Sequence, residues 1–233
     1  MSVLAPDAVE GLFDQIAPIY DNLNDQLSFG LHRLWKRMAV KWSAAKPGDR
    51  VLDLCCGSGD LAFLLAKVVG SKGQVIGFDR SQALLSVAGD RARQLASALV
   101  IDWQRGDALD LPFPDDHFDA ATLGYGLRNV PDIPTVLRQL QRVLKPGARA
   151  AILDMHRPYS PLLRQFQQVY LDRWVVPAAA AQNCAAEYEY IDASLEAFPQ
   201  GQQQVALAIA AGFQRAKHYE LAAGLMGVLV VEA

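Results

Sequence analysis

The sequence predicts an α/β fold: a doubly wound, mainly parallel sheet with a C-terminal antiparallel hairpin and an N-terminal helical lid. Three observations carry this. From Asp49 onward, short β-rich runs alternate with stretches of helical period, the pattern of βαβ units. The first run, "VLDLCCGSGDLAF" from Val51 to Phe63, passes from an apolar strand through two glycines into a helix. The final stretch, "GFQRAKHYELAAGLMGVLVVEA", holds two strand patterns around Ala222-Ala223-Gly224, so it adds antiparallel strands to the parallel sheet.

Taken in order, residues 7–45 read as helix in two pieces. They are interrupted at "YDNLNDQLSFG", where Asn22, Asn24, Asp25 and Gly30 favour a turn, and residues 1–45 form the lid. The strands that follow are "RVLDL", "QVIGFD", "LVIDWQ", "DAATLGY" and "ARAAILDM", with helices over 81–96 and 132–144. Pro146-Gly147 in "LKPGAR" predicts a helix stop and a turn ahead of the fifth strand. Residues 46–157 thus read as the α/β core, 158–200 as a mainly helical insertion, and 201–233 as a C-terminal helix and hairpin. With 233 residues and 52% apolar composition the chain suits one domain, and it shows no repeat and no low-complexity linker.

A net charge of −3 argues against a nucleic-acid binder, which carries a basic excess. Cys55, Cys56 and Cys184 have neither ligand spacing nor the look of a disulfide framework, which points to a reduced, cytoplasmic compartment and to no metal. "MSVLAPDAVEG" lacks a basic segment followed by an apolar one, and no apolar run reaches the length of a membrane span. The expectation is a protein neither secreted nor membrane-spanning.

In an open parallel sheet a ligand sits beyond the carboxyl ends of the strands, which here carry Asp53, Asp79, Asp107, Gly124 and Asp154. Gly57 and Gly59 let the backbone approach a ligand, and the helix starting at Asp60-Leu61 offers free N–H groups. Asp79 can accept two hydrogen bonds from a ribose diol, the alternative being that Asp53 and Asp79 merely cap their turns. Asp53, Asp60 and Asp79 surround the turn with negative charge, and no Lys or Arg lies within it. That disfavours a pyrophosphate and favours a nucleoside bearing positive charge, S-adenosylmethionine. The missing third glycine counts against a nicotinamide oxidoreductase.

The motifs "VLDLCCGSGD", "GFD", "GDALDLPFPDDHFD", "GYGLRNV" and "RVLKPG" resemble those of class I (Rossmann-like) S-adenosylmethionine-dependent methyltransferases. "YDNLNDQLSFGLHRLWKR", "GLRNV", "YEYIDASLEAFP" and "LAAGLMGVLV" resemble, more narrowly, the ubiquinone/menaquinone biosynthesis C-methyltransferase family, over about residues 12–231. "LDLCCGSGDLAFLLA", "AVKWSAAKPGD", "GYGLRNV" and "EYEYI" look most like its branch in oxygenic phototrophs that methylates demethylphylloquinone. The resemblance implies cofactor contacts at Ser58, Asp79, Asp107, Ala108 and Gly124: Ser58 for the methionine end, Asp79 for the ribose, Asp107 for the adenine amino group. Two positions depart from the pattern: Cys55 replaces the usual first glycine, and Gly124 stands where relatives often have Ser.

The activity so implied is C-methylation of a prenylated naphthoquinol, with demethylmenaquinol or a polyprenyl benzoquinol as alternatives, and a methyltransferase-like subunit without turnover as a different class. A quinone ring is electron-poor, so the nucleophile must be the quinol, whose phenol of pKa about 10 has to be stabilised as phenolate. Arg128 and Asn129 in "YGLRNV" suit that role, with Asp154, Tyr125 and His156 as proton relays in that order. The bland alternative makes Arg128 an ion-pair partner, for instance of Asp132. His32 and His117 read as surface or packing residues. An apolar substrate tail implies contact with a membrane surface. "HRLWKRMAVKW" spaces Leu31, Leu34 or Trp35, Met38 and Trp42 helically, with Arg33, Lys36, Arg37 and Lys41 at other positions, so it reads either as a helix lying on a bilayer or as one packed on the domain. Val175 to Ala186 reads as a lining for the isoprenoid tail or as helix packing. A homodimer and a peripheral place on the cytoplasmic face of a membrane complete the expectation.

Overall fold

The computed structural model describes residues 30–94, 101–175 and 193–233, besides Gly11. The first lid piece, the "YDNLNDQLSFG" turn, Cys184 and nearly all of the Val175–Ala186 stretch lie outside the described residues. The elements are α1 (Leu31–Trp42), β1 (Arg50–Leu54), α2 (Asp60–Val69), β2 (Gln74–Asp79), α3 (Gln82–Gln94), β3 (Ile101–Arg105), β4 (Phe118–Gly124), α4 (Ile133–Val143), β5 (Leu144–Met155), α5 (Pro161–Tyr170), α6 (Gly201–Ala210), β6 (Arg215–Leu221) and β7 (Met226–Glu232). Short helical pieces follow α5 at Leu171–Val175 and lie at 193–197.

One seven-stranded sheet runs β3-β2-β1-β4-β5-β7-β6. The first five strands are parallel, and β7 is antiparallel to both β5 and β6. Strand order reverses between β1 and β4, the position where such sheets open a crevice for ligands. Side-chain alternation sends Leu52 and Leu54 of β1 into one core layer with Phe78, Phe118 and Leu137. It sends Val51 into the other, with Leu61, Leu65, Val75 and Leu153.

Ala39 and Val40 of α1 join that second layer, and Trp42 stacks on Tyr219 of β6 at 4.7 Å. The cations of α1 are not all at the surface: Lys36 is buried with His32, while Leu31 and Leu34 face solvent. α4 starts at Asp132, whose carboxylate accepts the Thr135 N–H at 3.1 Å and so caps the helix. The stop expected at "LKPGAR" occurs at Val143, but the turn is taken inside β5. Against β4, Phe118 pairs with Leu144 and Ala120 with Arg149, so Pro146-Gly147 forms a bulge that absorbs the extra residues.

Candidate active site

β1 and β4 flank the point where strand order reverses, and each is followed by a non-glycine residue in the left-handed region, Cys55 (φ 55) and Tyr125 (φ 60). Such backbone is costly for L-residues and is held here by its surroundings: Tyr125 N–H donates to Leu153 O at 2.7 Å, and Gly126 leaves no room beside Cys55 for a Cβ. The glycine turn continues through Gly57 (φ 52) to Gly59 (φ 91), the residue before α2. Gly59 has a second constraint, because a Cβ there would lie 2.5 Å from the Trp103 ring.

Asp79 closes the turn from β2. Its Oδ2 accepts the Gly57 N–H at 2.7 Å and its Oδ1 the Ser81 N–H at 2.9 Å. Asp107, after β3, accepts the Leu109 N–H at 2.9 Å and pairs with Arg80 at 3.1 Å. Between these carboxylates and the end of β4 lies an open cleft. Of the residues singled out in the sequence, Gly57, Asp79, Asp107, Ala108, Gly124 and Asn129 line it. Asp53, Ser58, Gly59, Arg128 and Asp154 do not.

Asp53 is fully buried. It accepts the Thr122 hydroxyl at 2.7 Å, and its other oxygen has no hydrogen-bond partner among the described residues. Burial pushes its carboxyl up to about 7, against the opposing effects of the Thr122 hydroxyl, the Ala62 backbone N–H and Lys36. Asp60 goes the other way. Burial would raise its pKa, but Lys36 and Arg91, each 2.6 Å from a carboxylate oxygen, bring it down to about 2. Arg91 also donates to the Ser58 carbonyl at 2.8 Å. Of the three carboxylates around the turn, Asp60 is therefore paired by cations from α1 and α3, Asp53 is buried, and Asp79 is the one that lines the cleft. Nothing local to the turn signals Arg91, which lies 31 positions from Asp60.

Arg128 and Asp154 form a buried ion pair, 6% and 1% exposed. Asp154 accepts the Arg128 backbone N–H at 3.0 Å, the Arg128 Nε–H at 3.4 Å and the Met155 N–H at 2.8 Å. Arg128 also donates to the Ser194 hydroxyl. Its partner is thus Asp154 and not Asp132. The pair fixes the turn Leu127–Asn129, which carries Asn129 to the cleft wall. Asn129 donates to Tyr125 O at 3.0 Å, and its side-chain oxygen has no partner among the described residues. His156 is buried, its Nδ1 3.1 Å from Asp154 O and its Nε2 near both Gln204 and His218. Burial lowers both imidazoles, His218 to about 4, and neither residue lines the cleft. His32 is buried, and His117 stacks on Phe113.

Residues 1–231 match the model of the ubiE/COQ5 methyltransferase family. The chain belongs to that family. It is 57% identical to a 2-phytyl-1,4-naphtoquinone methyltransferase of Nostoc punctiforme, over 96% of this chain and 97% of that protein. It is 37% identical to a ubiquinone/menaquinone biosynthesis C-methyltransferase UbiE of Ectopseudomonas mendocina, over 95% and 87%. A solved S-adenosylmethionine-dependent methyltransferase of Aquifex aeolicus shares the fold at a TM-score of 0.62 and 19% identity, covering 84% of this chain and 88% of that one. The protein is an S-adenosylmethionine-dependent C-methyltransferase with a class I fold.

The cleft fits that cofactor by its own chemistry. Asp79 lines the cleft, and its two carboxylate oxygens, which accept the Gly57 and Ser81 N–H groups, are the acceptors that suit a ribose diol. A Cβ on Gly106 would lie 2.2 Å from the Phe78 ring, so the chain beside Asp107 and Ala108 runs flat against an apolar wall suited to a base. Among the described residues no cluster able to hold a metal occurs.

Proposed function

We propose that this methyltransferase acts on the ring carbon of 2-phytyl-1,4-naphthoquinol, the last methylation in phylloquinone synthesis. The observation that carries this is the 57% identity, over nearly the full length of both chains, to the protein named for that quinone, against 37% to the ubiquinone/menaquinone enzyme.

When bound, S-adenosylmethionine supplies an electrophilic methyl group, which the ring carbon takes as the C–S bond breaks and a ring proton leaves. This chain has to hold the quinol and favour its phenolate. Asn129, on the cleft wall, orients a ring hydroxyl. Arg128 supplies fixed positive charge from within the wall, and Asp154 holds the turn that carries both. Arg128 stays charged throughout, so the phenol proton leaves through water. Asp79, Asp107 and Ala108 hold the nucleoside, with Gly57 giving it room and Gly124 contributing backbone to the cleft wall. Asp53, Ser58 and Gly59 support the turn from outside the cleft.

A phytyl substrate partitions into lipid. No helix of the described residues is long and apolar enough to cross a membrane. α1, which has no acidic residue, exposes Leu31 and Leu34 beside Arg33, Arg37 and Lys41. We assign this face to transient contact with an anionic membrane surface, expected on the cytoplasmic side.

The test is turnover with chemically reduced and oxidised 2-phytyl-1,4-naphthoquinone, alongside a reduced polyprenyl benzoquinone. Methylation confined to the reduced naphthoquinone supports the reading. Equal rates with the oxidised form, or faster methylation of the benzoquinol, would overturn it. Co-sedimentation with anionic but not neutral vesicles, weakened by Arg37→Glu, checks the membrane face.

A further inference from the structure

Lys36 is the buried cation of a helix whose other cations are exposed, and its position is specific. Its ammonium lies 2.6 Å from Asp60 Oδ2 and 5.6 Å from the centre of the Tyr125 ring. Asp60 opens α2 directly after Gly59, at the end of the glycine turn. Tyr125 lines the cleft at the end of β4. One side chain from α1 therefore touches both turns that flank the cofactor cleft, one by a charge-assisted hydrogen bond and the other over an aromatic face.

From this we infer that Lys36 is a positioning residue that couples the seating of α1 to the two turns that hold the cofactor. A desolvated ammonium is stable only with its partners in place, so α1 cannot lift away while the turns keep their shape without leaving a buried charge half paired. The turns in turn depend on α1. Asp60 is shared between Lys36 and Arg91, and Arg91 also holds the Ser58 carbonyl. Withdrawal of Lys36 leaves Asp60 to Arg91 alone and draws the start of α2 toward α3. The turn residue next to Ser58 is Gly57, whose N–H is bonded to Asp79, so a displacement there reaches the ribose-binding carboxylate.

Coupling of this kind is reciprocal: whatever the cofactor gains from a well-formed turn, α1 gains in seating when the cofactor is bound. Because α1 carries the exposed Leu31, Leu34, Arg33 and Arg37, the cofactor's presence would be felt at the surface assigned to the membrane. That last consequence rests on the proposed membrane contact. The coupling itself does not.

The experiment measures S-adenosylhomocysteine binding by calorimetry and amide exchange over residues 31–42, with and without that ligand, in wild type, Lys36→Met, Asp60→Asn and the double variant. Each single change should weaken binding about 5- to 50-fold, and the double should be little worse than the poorer single, as members of one coupled unit behave. Ligand should slow exchange over 31–42 in wild type and not in Lys36→Met. Lys67→Met, an exposed cation of α2, should match wild type in both readouts. Should Lys36→Met fail to fold, Asp60→Asn carries the exchange test, because Arg91 still anchors that side chain. Wild-type affinity in a folded Lys36→Met, or ligand-dependent protection of 31–42 that survives either change, would overturn the coupling and leave Lys36 a packing contact.

Discussion

Asp79 accepts the N–H of Gly57 at 2.7 Å, so the carboxylate that ends β2 and the glycine turn that ends β1 form one unit. A ligand that bonds Asp79 also sets the turn, and a change at either residue is felt at both.

Asp79→Ala should weaken S-adenosylhomocysteine binding by about 1–3 kcal/mol, since it removes a charged acceptor and releases the Gly57 N–H. Asp79→Asn keeps an acceptor and should fall between the two. Calorimetry on folded variants checks this, and unchanged affinity in Asp79→Ala would remove that residue from the cofactor site.

Asp53 makes stability depend on pH in a defined direction. Its carboxyl is raised from 3.8 to about 7 by burial, so between those values the folded state binds a proton that the unfolded state has lost. The stabilising contribution is therefore complete below pH 3.8 and declines as pH rises through about 7, by up to about 4 kcal/mol in all. Asp53→Asn, neutral at every pH, should remove that decline. Urea midpoints from pH 5 to 8.5 measure it. Parallel curves for the two proteins would show that Asp53 is ionised in the folded state.

Arg128→Ala strands the Asp154 carboxylate at 1% exposure and should cost about 3–5 kcal/mol of stability, part of which Asp154→Asn restores. Arg128→Lys keeps the charge but not the fork that reaches Asp154 and Ser194. It should lower kcat/KM by about 2 kcal/mol of transition-state stabilisation, with affinity for S-adenosylhomocysteine near wild type. Steady-state rates with reduced substrate, read beside thermal melts, decide it. A rate loss matching the loss of folded protein would leave Arg128 a purely structural residue.

A Cβ on Gly124 would stand 2.6 Å from Leu61 Cδ1. Gly124→Ser should thus cost about 1–3 kcal/mol by overpacking. Combining it with Leu61→Val, which removes the clashing methyl, should be less destabilising than the sum of the two single changes. Denaturant melts of the four proteins test the pair, and strict additivity would show that Leu61 moves aside freely.

Much of this was legible in the sequence because it is local. Gly57 and Asp79 announce themselves by residue type at the ends of period-2 runs, and strand alternation with β1 buried on both faces gives the sheet. What escaped is long-range pairing. Lys36 reads as one of four cations set off the apolar positions of a helix, and only tertiary packing shows it meeting Asp60, 24 positions away. Asp154 reads as a ligand-facing carboxylate because it ends a strand. It accepts three N–H donors of its own, because the turn at Leu127–Asn129 folds back over it. Pro146-Gly147 reads as a turn, and the sheet instead absorbs it as a bulge, since β5 must regain register with β4 beyond it.

The position of β7 bears on how the chain reaches this state. It is the last strand in chain order, yet it sits between β5 and β6 and is the route by which β6 joins the sheet. During synthesis β5 must therefore wait with an open, apolar edge, carrying Ala150, Ile152 and Leu153, until the final strand leaves the ribosome. Nascent chains halted before Met226 would be held together by the parallel half alone and would present that edge to one another. Truncating the chain before Met226 should thus yield aggregates sooner than a smaller soluble domain.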